Sequence, residues 1–167
     1  NIWLHIDGAH GGAAIFSKRL KKELLSDVHQ ADSVIIDAHK MMLTPALATA
    51  VLFKNHLDGY NSFKQKADYL FNQSDIDPHN LAKRTYETTK YMMSIKVYYL
   101  FKKYGTDYIG QFVERQTDLT LWFYNTLTAS QDFKCGHRPQ TNILCFRYTK
   151  SQGSELNELN QFIRERL

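Results

Sequence analysis

The chain reads as an α/β protein built on an open sheet, and three observations carry that reading. A short apolar run, Ile2 to Ile6, ends at Asp7. A second, Val34-Ile35-Ile36, runs into Asp37-Ala38-His39-Lys40. Between them, residues 15–28 set Ile15, Phe16, Leu20, Leu24 and Leu25 on one helical face, with Lys18, Arg19, Lys21, Lys22 and Glu23 mostly on the other. Strand, helix and strand in that order predict parallel neighbours joined by a right-handed crossover. Parallel neighbours end at the same edge, so Asp7 and the His39-Lys40 pair are expected together there. Open α/β sheets bind ligands at that edge.

The first strand is followed by Gly8-Ala9-His10-Gly11-Gly12-Ala13-Ala14, whose small side chains would let a flat group approach the backbone. The second delivers a lysine to the rim of an apolar sheet. Desolvation there would favour the neutral, nucleophilic amine over the ammonium. Alone, Lys40 is an ordinary surface lysine and Asp7 a cap or turn residue. His39 alone reads as a hydrogen-bonded core histidine, and His5 as a structural partner of Asp7.

Further along, residues 46–54 read as another strand, with Thr49-Ala50-Val51-Leu52-Phe53 as its best part. Residues 56–83 lack periodicity and contain Gly, Asn, Asp and Pro, so a long functional or mobile loop is expected. Helical spacing returns over residues 84–103 and Gly105 ends it. A second helix is expected over residues 107–128, with Ile109, Phe112, Val113, Leu119, Trp122, Phe123 and Leu127 buried. Residues 132–135 and 142–148 read as two strands about a turn at Gly136 and Pro139, and residues 154–167 as a polar amphipathic helix. The expected division is 1–105 and 106–167.

Composition excludes little. Of 167 residues, 43% are hydrophobic and 23% charged, ordinary values for a globular chain and unlike those of a disordered or membrane protein. The net charge of +4 is scattered, without the clustered footprint that nucleic acid binding leaves. No apolar run reaches membrane-spanning length. Cys135 and Cys145 lack CxxC spacing, which fits free thiols in a reducing cytoplasm. His5 and His10 stand five apart by a Gly-rich turn without a metal-binding helix motif, so no metal is expected. The chain begins directly with a strand, as a fragment of a longer polypeptide would.

Two stretches carry a resemblance. Trp3-Leu4-His5-Ile6-Asp7-Gly8-Ala9-His10-Gly11-Gly12-Ala13 and Ala31-Asp32-Ser33-Val34-Ile35-Ile36-Asp37-Ala38-His39-Lys40-Met41-Met42 together resemble the group II pyridoxal-phosphate-dependent amino acid decarboxylases. That family includes glutamate, aromatic amino acid, cysteine sulfinate and 2,4-diaminobutyrate decarboxylases. Asp68-Tyr69-Leu70-Phe71, Thr88-Thr89-Lys90 with Lys96, and Pro139-Gln140-Thr141-Asn142-Ile143-Leu144-Cys145-Phe146-Arg147 extend the resemblance over nearly the whole chain.

The resemblance implies a fold-type-I pyridoxal-phosphate enzyme. Residues 1–105 would be the later part of its large domain, and 106–167 part of a small α+β C-terminal domain. By the same resemblance Lys40 forms the imine with the cofactor aldehyde, and His39 lies close to the cofactor phosphate and the substrate. Asp7 pairs with the pyridine nitrogen, Ala9 packs against the ring, Asp37 stands at the phosphate contact, and Tyr69 on a catalytic loop protonates the substrate carbon. These residue types suit the chemistry. A carboxylate keeps the ring nitrogen protonated, lysine exchanges imines, and a tyrosine of pKa about 10 holds its proton at neutral pH.

The implied activity is decarboxylation of an L-amino acid to an amine by a cytoplasmic homodimer, with no nucleic acid or membrane partner. Glutamate and 2,4-diaminobutyrate are the leading substrates, with aromatic ones open. Transamination or aldol-type cleavage on the same fold is the nearest alternative. A different class of reading makes the isolated piece an inactive segment with an association role, because the upstream half supplies phosphate-binding and ring-stacking residues in the family. Five positions depart from the common pattern: Gly8 for alanine, His10 for tyrosine, Asp37 for asparagine, Lys90 for arginine and Met93 for aspartate.

Overall fold

A computed structural model describes residues 2–64, 80–87, 89–150 and 152–166. The chain forms two compact units, Asn1–Ile109 and Gly110–Leu167.

The first unit holds a three-stranded sheet in the order β1 (His5–Asp7), β2 (Ser33–Asp37), β3 (Thr49–Phe53). β1 and β2 are parallel, with Asp7 opposite Ile35. β3 runs antiparallel to β2, with Asp37 opposite Thr49. Residues 38–48 between them contain no helix that could carry a parallel crossover, so the chain turns back on itself.

The crossover from β1 to β2 is broken where the sequence suggested one helix. A 3-10 turn, Gly11–Phe16, is followed by α1 (Lys18–Leu24) and a second 3-10 turn, Val28–Gln30. Ser17 separates the first two because it is a helix cap, its Oγ accepting from the Leu20 amide at 2.9 Å. Of the expected apolar face, Leu20 is fully buried and the others partly so.

The region expected as a long loop starts with a helix, α2 (His56–Phe63), capped by Asn55, whose Oδ1 accepts from the Leu57 amide at 3.1 Å. Gly59 lets this helix close on β3, since a Cβ there would stand 2.9 Å from Phe53 Cδ2. A 3-10 turn at Leu81–Arg84 follows. The next helix begins ten residues later than expected, as α3 (Ser94–Ala129). Thr85 bonds its own locality instead of entering a helix, its Oγ1 donating to the Glu87 carbonyl at 2.6 Å.

Gly105 interrupts α3 with φ 74° and ψ 172°, a conformation outside the helical region that glycine alone adopts easily. Ile109, Val113, Thr117 and Leu127 form its buried row. Leu119 and Trp122, expected in that row, are 56% and 63% exposed. They sit off the row by the 100° rotation per residue of a helix, so apolar character there does not mean burial.

The second unit packs the later part of α3 with a two-stranded antiparallel ribbon, β4 (Phe133–Cys135) and β5 (Phe146–Tyr148). Phe146 stacks edge-on to Phe123 and Phe133, with ring centroids 5.6 and 6.2 Å away. The last helix, α4 (Ser154–Arg166), is tied to β5 through Asn160. Its Oδ1 accepts from the Tyr148 amide and its Nδ2 donates to the Tyr148 carbonyl, both at 2.9 Å. Among the described residues no helix is long and apolar enough to cross a membrane.

Candidate active site

The parallel pairing of β1 and β2 brings Asp7 and Asp37 to one edge of the sheet. Side chains alternate along a strand, so Asp7, its partner Ile35 and then Asp37 share one face. Thr49, opposite Asp37, lies on that face as well. Ala9 ties the two strand ends together. Its amide donates to Asp7 Oδ1 at 3.0 Å, and its carbonyl accepts from the Asp37 amide at 3.2 Å. Asp7 is otherwise exposed, and its Oδ2 takes no hydrogen bond from the described residues.

The small residues after β1 serve the chain itself more than an incoming flat group. A Cβ on Gly8 would stand 2.8 Å from the Ile35 carbonyl oxygen, and one on Gly12 would stand 2.8 Å from Ile36 Cγ1. Alanine at position 8 would therefore require Ile35 to move.

Asp37 is the hub of the cluster and is only 8% exposed. Its Oδ1 accepts from Thr49 Oγ1 at 2.6 Å, and its Oδ2 lies 3.1 Å from Lys40 Nζ and 3.7 Å from His39 Nε2. The Thr49 hydrogen bond is the main reason its carboxyl is held below the ordinary aspartate range. Burial opposes this, and the hydrogen bond and charge of Lys40 and the charge of His39 reinforce it.

The His39 ring is held against the Ala48 peptide group. The buried Ala48 amide donates to Nδ1 at 3.1 Å, while the Ala48 carbonyl, 3.0 Å from the same nitrogen, already accepts from the Ala38 amide at 2.8 Å. The other ring nitrogen, Nε2, faces the Asp37 carboxylate from 3.7 Å. His39 thus makes specific contacts on both sides of its ring.

Lys40 does not occupy the dry setting expected from its place after an apolar strand. Its side chain is 41% exposed, and the nearest influence on it is the ion pair with Asp37. The turn carrying it is anchored by Met41 and Met42, both buried, and then by Leu43 at φ 63°, an uncommon conformation for a branched residue. Lys96 braces the connection to β3, its Nζ donating to the Ala46 carbonyl at 2.9 Å.

Tyr69 lies outside the described residues. His5 turns away from the role of partner to Asp7, and its Nδ1 is 2.7 Å from Ser33 Oγ, which also accepts from Trp3 Nε1 at 3.0 Å. Ser33 is its register partner, so the nearer bond wins. Thr49 is the residue of this cluster that sequence reasoning missed. Its signal, a hydroxyl at the start of a strand, acquires meaning only with the register against Asp37.

A cavity of about 270 Å³ lies elsewhere, lined by Ile6, Ile15, Val28, Val34, Ile36 and Leu52. Ile6, Val34 and Ile36 alternate with the acidic residues, so this apolar hollow occupies the opposite face of the sheet. Among the described residues no group of three metal-ligating side chains occurs.

One edge of the sheet thus presents two carboxylates, a histidine and an amine. The family described as the pyridoxal-dependent decarboxylase conserved domain matches residues 1–149. The acidic amino acid decarboxylase GADL1 of Mus musculus is 27% identical over 98% of this chain and 30% of its own length. The L-2,4-diaminobutyrate decarboxylase of Rhizobium meliloti is 25% identical over 92% of this chain and 31% of its own. The crystal structure of Oryza sativa TDC with PLP and tryptamine superposes with a TM-score of 0.85 at 18% identity, covering 98% of this chain and 35% of that one.

The chain therefore belongs to the pyridoxal-dependent decarboxylase family and has the fold-type-I architecture. Pyridoxal 5'-phosphate is the cofactor of that family. The chain spans about a third of the length of the curated relatives it matches.

Proposed function

We propose that the protein decarboxylates an L-amino acid to an amine with pyridoxal 5'-phosphate, and that Lys40 carries the cofactor. The observation that carries this reading is the common edge and face on which Asp7 and the Asp37-His39-Lys40 cluster meet. Within it the first compact unit belongs to the large cofactor-binding domain, and the second is part of the small C-terminal domain.

The donor set fits the cofactor. When bound, pyridoxal 5'-phosphate supplies an aldehyde carbon for amines to attack and a protonated ring that withdraws the electron pair left by departing carbon dioxide. The exposed amine of Lys40 can reach an aldehyde without a rearrangement of the core. Asp7 offers Oδ2 to a ring N–H, and its charge keeps that proton in place. Ala9 adds only a methyl group beside that carboxylate. The His39 ring would lie close to the phosphate or a substrate carboxylate, and Asp37 sits behind Lys40 and His39. Tyr69 holds the proton that replaces carbon dioxide on the substrate carbon.

We assign glutamate or 2,4-diaminobutyrate as the substrate, in line with the relatives acting on acidic amino acids and on diaminobutyrate. A cytoplasmic homodimer suits the free thiols of Cys135 and Cys145 and the exposed Tyr91, Met92, Tyr98 and Tyr99.

The test uses the intact protein. Incubation with pyridoxal 5'-phosphate, borohydride reduction and peptide mapping should mark Lys40, and Lys40→Ala should lose the mark. Carbon dioxide should then be released from glutamate or 2,4-diaminobutyrate in a panel of amino acids. A keto acid formed without carbon dioxide would overturn decarboxylation in favour of transamination.

A further inference from the structure

Lys40 has to free its nitrogen lone pair before it can attack a carbonyl carbon, yet that nitrogen stands 3.1 Å from the Asp37 carboxylate in an ion pair. That carboxylate is not free to swing away. Thr49 on the neighbouring strand holds its other oxygen at 2.6 Å, and the register of the antiparallel pair fixes Thr49 in turn. We propose that Thr49 is a positioning residue that, by clamping Asp37 from β3, holds the Lys40 amine in its ion pair and so sets its reactivity toward aldehydes. The purpose of this restraint rests on Lys40 being the cofactor lysine, but the restraint itself does not.

The geometry gives each partner a separate part. Asp37 is buried and engages both carboxylate oxygens, Oδ1 with Thr49 and Oδ2 with Lys40. If the Thr49 hydroxyl were absent, Oδ1 would lose the bond that holds it and the carboxylate could rotate toward water. His39 faces the same Oδ2 from 3.7 Å and competes with Lys40 for it when protonated. Lys96, the basic residue of α3 that reaches this connection, spends its donors on the Pro45 and Ala46 carbonyls and leaves Asp37 to Lys40. Asp7 shares the sheet face, with its Oδ1 engaged by the Ala9 amide. Attack by Lys40 then needs its proton passed to solvent as the ion pair opens, which leaves the nitrogen lone pair free to form the new bond to carbon.

Reductive methylation of the intact protein, cleared of pyridoxal 5'-phosphate beforehand, with formaldehyde and cyanoborohydride at one fixed pH measures this directly. The rate at Lys40 is read by peptide mass relative to exposed Lys54, so that a general loosening of the fold, which accelerates both, cancels. Asp37→Asn should raise the Lys40 to Lys54 ratio about tenfold, because it removes the carboxylate that pairs with the amine. Thr49→Val should raise it by about threefold, as the loss of one hydrogen bond to the carboxylate, acting at one remove, would. Thr49→Ser, which keeps the hydroxyl, should restore the wild-type ratio. Unchanged ratios in both Asp37→Asn and Thr49→Val, or a Thr49→Ser ratio that follows Thr49→Val, would overturn the proposal. Borohydride trapping judges the cofactor role separately: an adduct on another lysine would remove that role while the methylation ratios still decide the clamp.

Discussion

Asp37 and Thr49 face each other across the antiparallel strands β2 and β3, and their side chains meet at 2.6 Å. This bond adds a side-chain tie to the ladder that joins β2, which leads into the turn carrying the lysine, to β3. It also makes part of the stability dependent on an ionised carboxylate.

The pH dependence follows from the sign of that effect. The folded Asp37 carboxyl is held below its ordinary value of 3.8, so the stabilisation is fully present above that value. It is lost as pH falls through the lower folded value. Thr49→Val should cost about 1–3 kcal/mol near neutral pH, since it strips a hydrogen bond from a buried charge. Urea unfolding at a series of pH values should show the gap between variant and wild type narrowing below about pH 4. A gap that stays constant down to pH 3 would dismiss the carboxylate as its origin.

Asp7→Asn should separate holding the cofactor from using it. The amide keeps the shape of the side chain but cannot sustain a protonated ring nitrogen. Lys40 should still be marked by borohydride trapping, while kcat falls by about 100-fold or more. Loss of trapping together with kcat would mean that Asp7 serves attachment instead.

Gly105→Ala tests backbone strain in isolation. Nothing lies within 4 Å of where its Cβ would be, so no clash can explain a loss. The positive φ predicts a destabilisation of about 1–3 kcal/mol despite the better helix propensity of alanine. Calorimetric unfolding of the variant measures it, and a neutral or stabilised variant would contradict the strain.

In the second unit, Asn160→Ala should cost about 1–3 kcal/mol, because both Tyr148 backbone groups lose their partner on α4. Hydrogen exchange at the Tyr148 amide should quicken ahead of its ladder neighbours. Exchange that stays uniform along β5 would show that the helix is not held there by this residue.

Much of the site was readable because its pieces are local. Ile35 and Ile36 announce a strand, and the ionisable residues directly after it need no tertiary information to be noticed. The shared edge of Asp7 and Lys40 followed from chain order alone, since a helical crossover makes parallel neighbours. Thr49 was out of reach because its meaning lies in a cross-strand register, which composition does not encode. The eight residues of α2 are too few to establish a period, so Asn55 as a cap was the only available sign. Leu119 and Trp122 show the reverse error, where apolar spacing was taken for burial. Lys40 itself was expected dry because its strand is apolar, but the turn after the strand carries it outward.

The two bonds made by Ala9 have a consequence for how such a site can change over time. Both run through its peptide groups and neither uses its methyl group. The span from Asp7 to Asp37 is thus indifferent to which side chain position 9 carries, with proline as the exception because it has no amide hydrogen. Evolution can vary the bulk presented at that position, and with it the fit of whatever lies alongside, without disturbing the alignment of the acids on either side.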